Sequence, residues 1–154
     1  MPSLPNDWNL LGIIALKLTL AWALALPTGW WREKEVHAVG IRTFPVVAVA
    51  SCGYLLILHD IPGSDGLAAS SRVLQGLVAG IGFIGGGAIV RDGMSVQGTA
   101  TAASIWNTGA IGAAVAMAKY EVAIVLAVLN VVTLHGLIPL KKFLDRESTD
   151  RDPK

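Results

Sequence analysis

Residues 73–90 form the stretch that most constrains the fold of this chain. These eighteen consecutive residues carry no charge, and six of them are glycine. As a helix they would span ~27 Å, close to the ~30 Å hydrocarbon core of a bilayer. In water each glycine would destabilise the helix by about 1 kcal/mol, whereas in lipid small residues let neighbouring helices approach closely. The stretch therefore predicts a membrane helix with tightly packed neighbours.

The six glycines of this helix fall on two faces when successive residues are placed ~100° apart. One face carries Gly76, Gly80 and Gly87, and the opposite face carries Gly82, Gly85 and Gly86. A helix with two smooth faces can be contacted closely on both sides. We therefore expect it to lie at the centre of a bundle, where lipid reaches little of it.

The composition extends this prediction to the whole chain. Hydrophobic residues make up 53% and charged residues 15% of the sequence, whereas soluble domains are typically ~25% charged. We expect an all-α integral membrane protein, a compact bundle of five transmembrane helices in residues 1–140, followed by a short charged tail in residues 141–154. The spans are expected at residues 9–26, 43–58, 73–90, 100–118 and 122–140. Pro27 is expected to end the first span, and a turn-rich linker at residues 59–71 to precede the third.

The basic residues outside these spans predict the orientation. With the N-terminus outside, only Arg72 and Lys119 face outwards. Nine basic residues then face the cytoplasm, namely Arg32, Lys34, Arg42, Arg91, Lys141, Lys142, Arg146, Arg151 and Lys154. Such an asymmetry indicates an outer N-terminus and a cytoplasmic C-terminus. The formal net charge is only +1, which argues against nucleic-acid binding.

Several polar residues lie inside the predicted spans. Lys17, Asn107 and Asn130 are each expected near the midplane, where hydrocarbon offers no hydrogen bonds. The sequence therefore predicts an intramembrane polar cluster in which Lys17 donates to both asparagines, with Ser104 and Thr108 beside them. The alternative is that Lys17 reaches an interface from a tilted helix.

The fourth span also carries a polar stripe along one face. The stripe contains Thr101, Ser104, Thr108 and Gly112, and we expect it to meet protein. Trp106 lies roughly opposite and is expected to meet lipid or a partner chain.

No arrangement of residues indicates catalysis or a cofactor. The three histidines belong to different segments, and the glycine run lacks the lysine of a phosphate-binding loop. Magnesium prefers carboxylate and other oxygen ligands, and every Asp and Glu lies outside the predicted spans. Glu33, Glu35 and Asp92 are weak candidates for an ion-sensing site on the cytoplasmic side, although Asp92 is explained more simply by a helix-ending turn beside Arg91. We expect no enzymatic activity and no bound cofactor.

Four short motifs in residues 80–106 resemble the MgtC/SapB family of bacterial membrane proteins. They are G-I-G-F-I-G-G-G, R-D-G, V-x-G and T-A-A-S-x-W, with G-I-R-T upstream at residues 40–43. The motif and helix-packing positions are Arg42, Gly76, Gly80, Gly82, Phe83, Gly85, Gly86, Gly87, Arg91, Asp92, Gly93, Gly98, Thr101 and Trp106. The chain departs from the family pattern at Trp31 and Gln97, where members commonly have an acidic and a basic residue.

The resemblance implies a multi-pass protein of the bacterial inner membrane, connected with growth under magnesium limitation, acid stress and survival inside host phagocytes. It also implies action by binding other membrane proteins, ATP synthase among them. Many members have a soluble C-terminal domain, and we expect this chain to contain the transmembrane domain only. Two hypotheses follow: a regulatory protein that docks through helix contacts and forms a homodimer, or a channel or carrier for an anion or proton rather than magnesium.

Overall fold

The computed structural model describes residues 8–35, 40–58 and 63–137, and all structural statements concern these residues. Five helices and one short hairpin follow each other along the chain. They are α1 (Trp8–Glu35), α2 (Thr43–Ile57), α3 (Gly63–Gly87), β1 (Val90–Asp92), β2 (Ser95–Gln97), α4 (Thr99–Ala116) and α5 (Tyr120–Gly136). The predicted class, an all-α bundle of five helices, is confirmed. The predicted tail, residues 141–154, lies outside the described residues.

Helix α1 is longer than the sequence predicted. Pro27 was expected to end it, but the helix continues through Pro27 as far as Glu35. Proline removes one backbone hydrogen bond, and in apolar helices neighbouring helices and side chains can offset that loss. The turns after Pro27 pack Thr28 and Arg32 against other helices, so the chain stays helical for eight residues beyond Pro27.

The central helix of the bundle is α4 and not, as predicted, the glycine helix α3. Helix α4 contacts α1, α2, α3 and α5, whereas α3 packs mainly on α4 and touches α2 less extensively. The difference follows from side-chain size along α4. Its buried positions include small residues, Gly109, Gly112 and Ala113, which allow neighbours to approach from several directions.

The core lies mostly between α2 and α4. Phe44 and Cys52 of α2 and Ile105, Ile111 and Val115 of α4 are buried. The polar stripe of α4 also faces protein as predicted, because Thr101, Ser104 and Thr108 are buried. Trp106 is half exposed, which agrees with its predicted outward position.

The boundaries of α3 differ from the prediction at both ends. The helix begins at Gly63, within the expected turn-rich linker, and ends at Gly87 rather than at Val90. Val90 instead begins an exposed antiparallel hairpin, in which Asp92 pairs with Ser95. Gly93 has a φ of +59°, the left-handed conformation that two-residue hairpin turns favour at their first position.

Gly98 joins this hairpin to α4 and cannot carry a side chain. Its φ is +86°, and an added Cβ would run into the backbone carbonyl oxygen of Ala88. The glycine therefore both turns the chain and lets α4 begin directly beside the end of α3.

Two of the described helices are long and apolar enough to cross a membrane. They comprise residues Trp8–Lys34, with mean hydropathy 2.0, and Ala68–Gly87, with mean hydropathy 1.2. Helices α2 and α5 are apolar but shorter. Large exposed hydrophobic side chains, such as Leu16, Phe83 and Val125, cover the outer faces of the bundle. This surface suits a lipid surrounding better than water.

Candidate functional site

Helix α1 is tied to both ends of α4 by basic side chains. Near the start of α4, Arg32 donates from its guanidinium to the hydroxyl of Thr101. At the end of α4, the Lys17 ammonium donates to the carbonyl oxygen of Ala116 at 2.9 Å. The final carbonyls of a helix lack intrahelical partners and carry partial negative charge, so Lys17 stabilises that end of α4.

The Arg32 cluster consists of Thr28, Arg32, Thr101 and Asn130. Arg32 is 8% exposed and Thr101 is 2% exposed, so the cationic group is held almost entirely inside protein. One turn before Arg32, the buried hydroxyl of Thr28 accepts a hydrogen bond from the Asn130 amide at 3.3 Å. The cluster therefore joins α1, α4 and α5 through hydrogen bonds, which are expensive to lose in a low-dielectric interior.

An aromatic contact lies beside this cluster. The rings of Trp31 and His135 are 4.3 Å apart between centroids and tilted by 50°. The buried Nε2 of His135 has no hydrogen-bond partner among the described residues. The Lys34 ammonium lies 5.2 Å from the ring centroids of both Trp30 and Trp31, within the range of cation–π attraction.

The predicted intramembrane polar cluster does not form. Lys17 was expected to donate to both asparagines, but it bonds Ala116, while Asn107 donates to the carbonyl of Leu126 at 3.2 Å. Asn130 bonds Thr28 instead. Of the two hydroxyl residues expected beside them, Thr108 donates to the carbonyl of Ser104 within α4. Because α1 extends to Glu35, Lys17 lies about one turn before the middle of the helix, and its ammonium reaches the last carbonyls of α4.

We expect almost no energetic coupling between Lys17 and Asn107. Asn107 lies nine residues before Ala116, which corresponds to ~14 Å along α4, and the two side chains share no partner. A double-mutant cycle of Lys17→Met and Asn107→Leu, read from thermal unfolding in detergent, should give a coupling below about 0.5 kcal/mol. A coupling well above that value would show that the two side chains meet.

Two of the three weak metal candidates, Glu33 and Asp92, have surroundings that the structure describes. The Glu33 carboxylate accepts a hydrogen bond from the backbone N–H of Ile41 at 3.1 Å, which fixes the approach to α2. Asp92 lies in the exposed hairpin, where Arg91 donates to the carbonyl of Gly93 at 3.1 Å. Glu35 ends α1. Within the described ranges, no three His, Cys, Asp or Glu side chains are close enough together to hold a metal ion.

The glycines of α3 are mostly open, contrary to the prediction that both faces are packed. A Cβ added at Gly76, Gly80, Gly82, Gly86 or Gly87 would meet no heavy atom within 4 Å. Gly85 is the exception, since its Cβ would lie 3.0 Å from the carbonyl oxygen of Ala102 in α4. Phe83, also in the motif, is 86% exposed. Among the glycines of this run in α3, Gly85 is therefore the one that the chain uses for its own α3–α4 contact.

A groove of about 700 Å³ runs between α2 and α3. Ser51 and Tyr54 line it from α2, and Arg72, Gly76 and Gly80 line it from α3. A smaller cavity of about 280 Å³ lies between α3, α4 and α5. Both are lined mainly by apolar side chains.

The Arg32 cluster was not predicted, because Arg32 was counted among the basic residues that lie outside the spans. A signal was present in the i, i+4 spacing of Thr28 and Arg32, which places both on one helical face directly after Pro27. Asn130 and Thr101 were predicted as functional or packing residues, but their hydrogen-bond partners, Thr28 and Arg32, were not predicted.

Arg42, a motif residue at the start of α2, is exposed.

The fold and these contacts define a small α-helical bundle of membrane type, with buried polar contacts between helices and apolar outer faces. The chain belongs to the MgtC family, whose profile matches residues 18–143.

Named relatives extend over most of this chain. Protein SrpB of Synechococcus elongatus is 32% identical over 89% of this chain and 80% of its own length. Protein MgtC of Brucella abortus is 29% identical over 94% of this chain and 59% of its own length. Protein MgtC of Salmonella typhimurium is 33% identical over 69% of this chain and 44% of its own length. The chain thus spans under two thirds of these MgtC proteins, and no solved structure matches it.

Proposed function

We propose that this MgtC family protein is a regulatory protein of the bacterial inner membrane that docks on other membrane proteins and forms a homodimer. The proposal rests on one surface, the open face of α3, which consists of Gln75, Ala79, Gly82 and Gly86. At ~100° per residue these four residues lie within ~60° of one another. All four are exposed, and neither glycine has a neighbour within 4 Å of an added Cβ.

The physical argument is that open glycines in an apolar helix favour contact with a second helix. Each glycine makes the helix less stable, and the fold of this chain uses neither Gly82 nor Gly86 for packing. In a membrane, small residues spaced four apart let two backbones approach and gain van der Waals contact. Gln75 adds an amide that can hydrogen-bond across such a contact. The open face therefore supports docking between helices.

The alternative, a channel or carrier, has less support. A pathway requires polar groups that line a continuous route, and Lys17, Asn107 and Asn130 bond to separate partners. In the described helices, the acidic residues Glu33, Glu35, Asp65 and Glu121 all lie near helix ends. Saturable ion uptake by purified protein in liposomes would support transport instead.

Homodimer formation can be tested by disulfide crosslinking in membranes. In a Cys52→Ala background, Gly86→Cys should crosslink to a second copy, because a symmetric helix contact brings equivalent glycines within the Cα separation of about 4.4–6.8 Å that disulfides require. Gly80→Cys is the matched control, since Gly80 lies on the same helix about 120° away. Equal crosslinking of both variants, or of neither, would contradict a dimer through the open face.

The regulatory role can be tested in cells under magnesium limitation or acid stress. Chemical crosslinking followed by affinity purification should recover a membrane protein in fixed ratio with this chain, with ATP synthase as the first candidate. Cells carrying Gly86→Leu should no longer yield this partner and should grow less well under the same stress than cells with the wild-type protein, at the same level of folded protein. Retention of both by Gly86→Leu would reject docking through the open face.

We propose five spans with the N-terminus outside and the C-terminus in the cytoplasm. A reporter that is active only in the cytoplasm should work when fused after Lys154 and fail when inserted at Gly63. The asymmetry of basic residues favours this result. The reverse pattern would invert the orientation.

A further inference from the structure

The groove between α2 and α3 is basic at one end, and the rest of its length is mainly apolar. Arg72 and Tyr54 lie at the end where α2 finishes, and Phe83 and Ile84 lie towards the other end. The lining residues include no Asp or Glu, and Arg72 makes no hydrogen bond or ion pair with any residue that the structure describes. The groove is therefore complementary to a molecule with an anionic group at one end and an apolar body.

The depth of Arg72 places this basic end near a membrane interface. Gly85 contacts Ala102 near the start of α4, and Arg72 precedes Gly85 by thirteen residues, or ~20 Å along α3. The hairpin makes α3 and α4 antiparallel. Arg72 therefore lies at the same level of the bundle as the end of α4, where the Lys17 ammonium bonds Ala116. Apolar residues of α3 fill the distance between the two levels.

The shape of the groove suits a long, flexible chain. From Arg72 to Ile84 the groove extends ~18 Å along α3. The missing side chains at Gly76 and Gly80 leave room along this length for a hydrocarbon chain.

We propose that this groove binds one anionic phospholipid, with its phosphate at Arg72 and Tyr54 and an acyl chain along Gly76 and Gly80. Arginine recognises phosphate through a charged, forked set of donors, and the tyrosine hydroxyl supplies one more donor. The apolar walls of α2 and α3 enclose the acyl chain. The site lies on a different face from Gly82 and Gly86, so lipid binding and helix docking are independent properties.

The test measures retention of lipid by the full chain purified in detergent. Native mass spectrometry would compare added dioleoyl phosphatidylglycerol with dioleoyl phosphatidylcholine. We expect one bound lipid and a preference of about fivefold for the anionic lipid, the size of effect that one basic residue has on anionic lipid binding. Arg72→Gln should remove the preference. Lys119→Gln, which removes the same charge elsewhere on the outward side, should leave it unchanged.

A second pair of variants tests the groove itself. Gly80→Leu should abolish binding of both lipids, because its side chain fills the groove, whereas Gly86→Leu should retain them. An added Cβ at either glycine meets open space, so both variants should fold, and circular dichroism would confirm it. If Arg72→Gln and Lys119→Gln reduced the preference for the anionic lipid equally, general surface charge would account for that preference and the proposal would be overturned. Lipid retention by Gly80→Leu, or disulfide dimers through Gly80→Cys, would also overturn it.

Discussion

Gly112→Leu is expected to abolish most of the folded protein. An added Cβ at this position would run into the backbone carbonyl of Ala48 and lie 2.9 Å from the Cβ of Ser51. Because the obstacle is the backbone of α2, a rotamer change cannot relieve the clash, and α2 and α4 must separate. Overpacking typically costs 1–3 kcal/mol, and we expect a loss of about 3 kcal/mol here. Size-exclusion chromatography of a fluorescent fusion in detergent would measure the folded fraction.

The matched controls for this prediction are Gly80→Leu and Gly86→Leu. Both introduce the same side chain into a helix of the same bundle, but an added Cβ meets nothing within 4 Å at either site. We expect the folded fraction of each control to stay near that of the wild type. If Gly112→Leu folded as well as these controls, the result would contradict a close contact between the backbones of α2 and α4 at this position.

Thr101→Val is expected to destabilise the protein by about 1.5–3 kcal/mol, the range for a lost hydrogen bond to a charged group. Valine has nearly the shape of threonine but cannot accept the hydrogen bond from the buried Arg32 guanidinium. The change therefore removes an acceptor from a cation that water reaches poorly. Thermal unfolding in detergent, followed by circular dichroism, would measure the loss.

Thr101→Ser separates this hydrogen bond from simple packing. Serine keeps the hydroxyl and loses only a methyl group, so we expect it to retain most of the stability that valine loses. A serine variant as unstable as the valine variant would show that the buried methyl group, rather than the Arg32 contact, accounts for the effect.

The sequence predicted best where a pattern is local. The start of α2 at Thr43 was predicted correctly, and that of α4 within one residue, because the apolar runs are bounded by polar or glycine residues. The polar stripe of α4 was also correctly predicted to face protein, since helical periodicity alone determines which residues share a face. Gly112 belonged to that stripe and proved to be a point of close helix contact.

Long-range packing was predicted less well. Glycine content indicated that α3 could be approached closely, but it did not show whether the approaching helix belongs to the same chain, and the structure leaves both glycine faces largely open. The position of Lys17 depended on where α1 ends, and that depended on whether the turns after Pro27 find partners. Thr28 and Arg32 find them on α5 and α4, which no local pattern reveals.

The two contacts between α1 and α4 have a consequence for bilayer thickness. Lys17 and Arg32 are fifteen residues apart, so the two basic groups at opposite ends of α4 are separated by ~22 Å along α1. The apolar surface of α1 continues beyond Lys17, where Leu10 and Ile13 are exposed, so the lipid-facing length of α1 exceeds this distance. The bundle can therefore match a hydrocarbon core of ~30 Å without thinning it.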